Sequence, residues 1–423
     1  MDRLDGSANL MLVSDLDDTM VDHTDPDNLS LLRFNALWES TYRQDSILVF
    51  STGRSPILYK KLRKEKPILT PDITITSVGT EIAYGEELVP DEGWVQLLSQ
   101  NWNRNVVLEE TARFPDLIPQ ADMDQGPHKV SFYIPKEKAQ EVISPLYTSL
   151  TQRGLDVKII YSSGLALDVL PKGAGKGQAL AYLIRKFGSI GKPPKSTIVC
   201  GDSGNDSEMF TIKGVYGVMV HNSREELLEW YEENAKSNDK IIHATERCAS
   251  GIIEAIGHFQ LGPSISPRDA KLFFSSEDNR NPASFMVNFY LLYESWLRAE
   301  VEKSEAIIHN LKSITHSTGV IVHPSGVEKS IHQSIDALES CHGDKRGTSF
   351  RVWLDKILFS AIGLGSWLLK FNKWELNGTS AKRSVMTVLL NSKMETPYVF
   401  CIMHIHQTWL EEYSIRDQQS WIF

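Results

Sequence analysis

The sequence predicts an α/β fold: a Rossmann-like parallel sheet interrupted by an inserted α+β domain and followed by an α+β tail. Two observations predict the sheet. Short apolar runs end in glycine, hydroxyl or acidic residues at Met11-Leu-Val-Ser-Asp15, Ile47-Leu-Val-Phe-Ser51 and Ser196-Thr-Ile-Val-Cys-Gly201. Strand and helix signals also alternate from residue 9 to about 80, and again from about 172 to 258. The third observation is length, because 423 residues exceed what one core covers and imply two or three domains.

The first strand runs into Asp15-Leu-Asp-Asp-Thr19. At the carboxyl end of a parallel strand the chain enters the crevice where open α/β sheets bind ligands. Asp15 and Asp17 repel each other unless a cation or proton separates them, so the spacing makes sense beside a divalent metal. A carboxylate held there can attack phosphorus. Taken alone, the motif is equally a solvated turn.

The second strand ends in Ser51-Thr-Gly-Arg54, where the Thr52 hydroxyl and nearby N–H groups can meet an anion. Ser51 or Thr52 can equally serve as N-cap of the helix expected from about Pro56. Pro171-Lys-Gly-Ala-Gly-Lys-Gly-Gln178 is glycine-rich but places Gly177 where a nucleotide P-loop needs a hydroxyl. What remains is a lysine, Lys176 or Lys172, at a helix N-terminus suited to a phosphoryl oxygen. Gly201-Asp-Ser-Gly-Asn-Asp206 then supplies Asp202 and Asp206, which complete an oxygen-only site with Asp15 and Asp17. Such a donor set favours Mg²⁺ over zinc.

These four motifs, in this order and each after a suitable strand, resemble the haloacid dehalogenase superfamily of phosphotransferases. The resemblance implies Asp15 as nucleophile, Asp17 as general acid and then base, and Thr52 and Lys176 as holders of the phosphoryl group. It also implies that Asp202 and Asp206 hold the metal directly or through water. The core is then residues 1–81 with 172–260, and residues 82–171 form a cap of the larger (C2) class, containing strand-like Lys129–Ile134 and Val157–Tyr161 around a helix from Ala139 to Arg153.

A narrower resemblance, to sucrose-phosphate phosphatases, rests on Val78-Gly-Thr-Glu-Ile82, Trp94, Asn101-Trp-Asn-Arg104, His128-Lys-Val-Ser-Phe132, Ser162-Ser-Gly164, Leu167-Asp-Val-Leu-Pro171 and Ala249–Phe259. It implies hydrolysis of sucrose 6-phosphate. Substrate contact is assigned to Thr52, Gly53, Arg54 and Asn205 in the core motifs and to Glu81, Lys129, Ser131 and Asp168 around the cap. Trp94 and Trp102 are expected to pack the cap's own core rather than stack on a sugar.

After the joint Gly262-Pro-Ser-Ile-Ser-Pro267, residues 261–423 form the tail. Phe285, Phe289, Leu292, Trp296 and Val301 predict one long amphipathic helix over Asn281–Leu311. Ser366–Leu376, Lys382–Asn391 and Tyr398–Trp409 predict three long strands, joined by Asn377-Gly-Thr379 and a Lys393–Pro397 turn. The tail resembles the C-terminal domain of plant-type sucrose-phosphate phosphatases, similar to nuclear transport factor 2-like folds. The resemblance implies a homodimer, or docking to sucrose-phosphate synthase. His404 and His406 would share one face of a strand, and without a third ligand they read as ordinary histidines. Asn377-Gly-Thr matches a glycosylation sequon but reads more simply as a hairpin turn.

A net charge of −10 offers no footprint for nucleic acid or an anionic membrane. The start, Met-Asp-Arg-Leu-Asp-Gly-Ser, lacks a signal-peptide pattern, and Phe359–Leu369 is too short to span a bilayer. Four scattered cysteines form no Cys-x-x-Cys pair, so a cytoplasmic location is expected. The alternatives are a phosphatase or mutase for another sugar phosphate, such as trehalose 6-phosphate, and a weakly active scaffold for sucrose-phosphate synthase.

Overall fold

The apolar runs become strands with no exposed face. In chain order the strands up to residue 260 are β1 (Leu10–Ser14), β2 (Ile47–Ser51), β3 (Ile73–Thr76), β4 (Glu81–Tyr84), β5 (Val89–Pro90), β6 (Ile118–Pro119), β7 (Val130–Tyr133), β8 (Val157–Ser162), β9 (Ala166–Pro171), β10 (Ser196–Gly201), β11 (Tyr216–Met219) and β12 (Ile241–His243). Every residue of β1, β2 and β3 is buried, as a parallel sheet covered on both faces requires. The computed structural model describes residues 4, 6–162, 164–270, 281–378, 380–392 and 400–409. Ser163, Thr379, the expected Lys393–Pro397 turn and the first two residues of the strand expected from Tyr398 lie outside these.

Contacts divide the chain into two units, Met1–Leu31 with Asp45–Gly262, and Leu32–Gln44 with Pro263–Phe423. In the first unit one sheet has the order β12-β11-β10-β1-β2-β3-β4-β5. It is parallel from β12 to β3 and antiparallel beyond. Ser14 stands opposite both Cys200 and Phe50. Because this register levels the ends of β10, β1 and β2, Asp202, Asp15 and Thr52 emerge along one edge, the carboxyl edge on which such sheets build sites.

The inserted segment forms a separate antiparallel sheet, β6-β7-β9-β8. The helix Lys136–Gln152 buries Ala139, Val142, Leu146 and Leu150 in the cluster that takes Val130, Phe132, Leu167 and Val169 from the strands. Trp102 packs against this cluster and its indole N–H donates to the Pro127 carbonyl, 2.9 Å away. Trp94 differs from expectation. It is buried in the cluster of the larger sheet, 5.0 Å from the Tyr182 ring, because Asp91 caps its helix beside the helix Lys176–Ser189.

The second unit is a six-stranded sheet packed against helices. Its strands are β13 (Thr315–Val322), β14 (Glu328–Ser330), β15 (Arg351–Gly363), β16 (Ser366–Asn377), β17 (Ser380–Ser392) and β18 (Phe400–Trp409), in the order β14-β13-β18-β17-β16-β15. Asn377 pairs with Ser380 across the expected tight hairpin. The expected single helix over Asn281–Leu311 is two, Pro282–Leu297 and Glu305–Ser313. The break has a local cause: Ala299 is left-handed at φ 53° and the Ser304 side chain caps a new helix at the Ala306 N–H, 3.1 Å away. Leu32–Gln44, from the β1–β2 connection, belongs to this unit through buried charge: Arg43 pairs with Glu39 at 2.7 Å and with Asp355 at 3.6 Å, and Glu39 accepts the Ile357 N–H at 2.8 Å. Among the described residues, no helix is long and apolar enough to cross a membrane.

Candidate active site

Asp15 follows β1 and anchors its own N–H on the Cys200 carbonyl at 3.0 Å. Lys176 opens the helix Lys176–Ser189 and is 1% exposed; its Nζ lies 3.0 Å from Asp15 Oδ1 and 2.7 Å from Asp206 Oδ1. The turn before it is crowded. Gly175 has φ 131°, and a Cβ on Gly79 would lie 2.2 Å from the Gly175 carbonyl carbon, so only glycine lets the Ser77–Gly79 segment support the lysine's turn. The other lysine that the motif offers, Lys172, is exposed and pairs with Asp156 at 3.4 Å.

Asp202 follows β10, and Asp206 lies in the short helical turn Gly204–Asp206. Asp206 Oδ2 accepts the N–H groups of Asp202 and Ser203 at 3.2 and 3.1 Å, which locks the loop. Thr19 donates to Asp202 Oδ1 at 2.8 Å. The ligand atoms of Asp15, Asp202 and Asp206 all lie within 4.8 Å of one another, and all three residues are buried. Three carboxylates face one ammonium, so negative charge is left over. An oxygen-only, charge-excess cluster of this size fits a hard divalent cation.

Electrostatics follow from that crowding. Burial pushes the Asp15 carboxyl well above the usual carboxylate range, with Lys176 opposing and the other aspartates adding to the rise. Burial, then the Asp206 charge, pushes Asp202 up to about 6. Lys176 is raised: burial works against its charge, but Asp15 and Asp206 more than offset that.

Asp17, expected as a further metal ligand, turns its carboxylate elsewhere. Arg54 takes both oxygens in a fork, Nε to Oδ2 and a terminal nitrogen to Oδ1, each at 2.7 Å, and His23 Nε2 lies 2.7 Å from Oδ1. Burial alone would raise Asp17, but the fork and His23 carry it below its ordinary value.

Thr52 follows β2, is fully buried, and its Oγ1 accepts the Arg54 N–H at 3.1 Å. The helix Pro56–Glu65 is capped by Ser55 rather than by the expected Ser51 or Thr52, because Pro56 already occupies its first turn. A Cβ on Gly53 would meet only Val78, at 3.9 Å, so an anion could approach the backbone there. Asn205 is half-buried, 3.4 Å from the Ser203 hydroxyl. Glu81 accepts the Ser77 hydroxyl at 2.7 Å and lies beside Gly126 of the inserted domain.

On the inserted sheet, Ser131 and Asp168 are cross-strand partners. The Ser131 hydroxyl donates to Asp168 Oδ1 at 2.5 Å, with Lys129 Nζ 3.6 Å from the same oxygen. All three are buried, forming a polar cluster suited to sugar hydroxyls. Sequence reasoning gave no role to His23 or Arg224, although Arg224 donates its N–H to the Asp202 carbonyl at 2.7 Å and holds its guanidinium 3.6 Å from Asp202 Oδ2. The only signal for His23 is its place in the polar run Asp22-His-Thr-Asp25 after Asp15. Arg224 carries none beyond following a strand.

Comparison with known proteins identifies the family. The family model Sucrose-6F-phosphate phosphohydrolase matches residues 8–260, and Sucrose-6-phosphate phosphohydrolase C-terminal matches residues 282–411. The chain is 57% identical to Sucrose-phosphatase 2 of Nicotiana tabacum over 425 residues, covering 100% of both chains. It is likewise 57% identical over 423 residues to Probable sucrose-phosphatase 2 of Arabidopsis thaliana, again covering 100% of both. The crystal structure of the sucrose-phosphatase of Synechocystis, solved with sucrose and phosphate, superposes with a TM-score of 0.53 at 34% identity, covering 60% of this chain and 98% of that one. The protein belongs to the sucrose-6F-phosphate phosphohydrolase family.

Proposed function

We propose that this protein hydrolyses sucrose 6-phosphate to sucrose and phosphate. The observation that carries the reading is the convergence of Asp15, Lys176, Asp202 and Asp206 at the carboxyl edge of the sheet. Full-length similarity to the sucrose-phosphatases of Nicotiana and Arabidopsis supports the substrate.

The chemistry follows from charge. An Asp15 oxygen attacks phosphorus, the bond from phosphorus to the sugar oxygen breaks, and Asp17 gives that oxygen a proton. Water then attacks the aspartyl phosphate and gives a proton to Asp17, which frees Asp15 and phosphate. Mg²⁺, held by Asp15, Asp202 and Asp206, would supply positive charge against the transferring group. Lys176 adds a fixed ammonium, and Thr52 and Gly53 offer donors to phosphoryl oxygens.

Asp17 is ionised while Arg54 and His23 hold it, which suits the base half of the cycle. Its acid half requires the Arg54 fork to loosen, and a phosphate dianion competes for that guanidinium. Lys129, Ser131, Asp168 and Glu81 hold sugar hydroxyls, and closure of the inserted domain excludes water.

Phosphate release from a panel of sugar phosphates, with and without Mg²⁺, tests the reading. Sucrose 6-phosphate should be preferred over trehalose 6-phosphate and require the metal; preference for another ester would overturn the substrate, and metal-independent turnover the cofactor. The reading extends to a cytoplasmic enzyme whose second unit mediates self-association or docks on sucrose-phosphate synthase. A single-chain mass in sedimentation at all concentrations would remove self-association.

A further inference from the structure

We infer that Lys158 and Glu208 form a positioning pair that holds the inserted domain closed over the catalytic edge. The inference rests on the proposed sugar-phosphate reading. Lys158 lies on β8 of the inserted sheet, and Glu208 lies in the turn Ser207–Phe210, two residues beyond Asp206. Their side chains are in direct ion-pair contact. The contact bridges the two sheets of the first unit.

Its location sets its consequence. A Cβ built on Gly175 would lie 2.6 Å from Glu208 Oε2 and 3.0 Å from Lys158 Nζ, so the pair rests on the backbone immediately before Lys176. A Cβ on Gly177 would lie 2.6 Å from the Glu208 Cβ. The two glycines flanking Lys176 therefore leave room for Glu208, which presents its carboxylate to Lys158 of the inserted domain. That carboxylate also sits at the N-terminal turn of the helix Lys176–Ser189, where negative charge is favoured whether the domain is open or shut. Glu208 is thus a fixed post, and Lys158 the part that arrives with the moving domain.

The side chains keep 25% and 35% of their exposure, which places the pair at a rim where water can replace either partner. Such a pair contributes on the order of 1 kcal/mol, enough to bias an open–closed equilibrium about fivefold without locking it. Closure matters for an ester whose sugar is gripped by Lys129, Ser131 and Asp168. It matters little for a small ester that touches only the core edge. A pair that merely supported the fold would affect both alike.

The test is a substrate split in the full-length protein with Mg²⁺. Wild type is first run on the sugar-phosphate panel, so a wrong substrate reading shows there, and the variants are compared on whichever sugar phosphate it hydrolyses. Lys158→Met and Glu208→Gln should each lower kcat/KM for that ester about fivefold, while hydrolysis of p-nitrophenyl phosphate stays within about twofold of wild type. The double variant should lose no more than either single. Equal losses on both esters, additive losses in the double variant, or unchanged sugar-phosphate turnover would each overturn the inference.

Discussion

Replacing Asp202 with asparagine should stabilise the metal-free protein at pH 8, although it removes a metal ligand. Burial, and then the neighbouring Asp206 charge, raise the Asp202 pKa to about 6. Between the ordinary carboxylate value and 6, the folded chain keeps a proton that the unfolded chain has released. Stability from this group is therefore present at low pH and is lost as pH rises through that window. A window of that width corresponds to roughly 3 kcal/mol at pH 8. Asp15, also raised, acts in the same direction.

A divalent cation removes this penalty, and must compete with the proton to do so below pH 6. Thermal unfolding at pH 5 and pH 8, with and without Mg²⁺, reads the effect. At pH 8 Mg²⁺ should raise the midpoint of the wild type by roughly 6 °C or more, and at pH 5 by much less. Asp202→Asn should match that gain at pH 8 without metal, and gain little when metal is added. Asparagine keeps an acceptor for Thr19, so the hydrogen bond survives the change. Equal Mg²⁺ shifts at both pH values, or a variant less stable than wild type in metal-free buffer at pH 8, would refute the reasoning.

Gly79→Ala should lower kcat and destabilise the protein by at least about 1 kcal/mol, since a Cβ there meets the Gly175 backbone at 2.2 Å and φ is +85°; wild-type turnover would contradict the support assigned to that segment. Arg43→Met leaves Glu39 and Asp355 buried without their shared cation and should cost about 3–5 kcal/mol, read as a lower unfolding midpoint. A loss below about 1 kcal/mol would show that the Arg43 cation is dispensable to the second unit.

Legibility varied with how local the cause was. Asp15, Asp202 and Lys176 could be read because each follows an apolar strand or a glycine turn, and sheet register then brings them together. The side-chain state of Asp17 was hidden, because Arg54 and His23 reach it from 37 and 6 residues away and no periodicity encodes a fork. Glu39 and Arg43, four residues apart, look like a solvated helix pair; only the fold reveals that Asp355 and Ile357 bury them. In β15 the register shifts at Lys356, left-handed at φ 61°, so no uninterrupted alternation marks this strand in the sequence. Trp94 carried the right expectation of burial but the wrong body, because an indole's sequence context does not say which sheet will cover it.

Asp15 is proposed to accept the phosphoryl group. Phosphate release from sucrose 6-phosphate by Asp15→Asn measures it most directly, with Mg²⁺ saturating and folding checked by circular dichroism. A loss on the order of a thousandfold or more is expected. Turnover within about tenfold of wild type by a folded Asp15→Asn protein would contradict it.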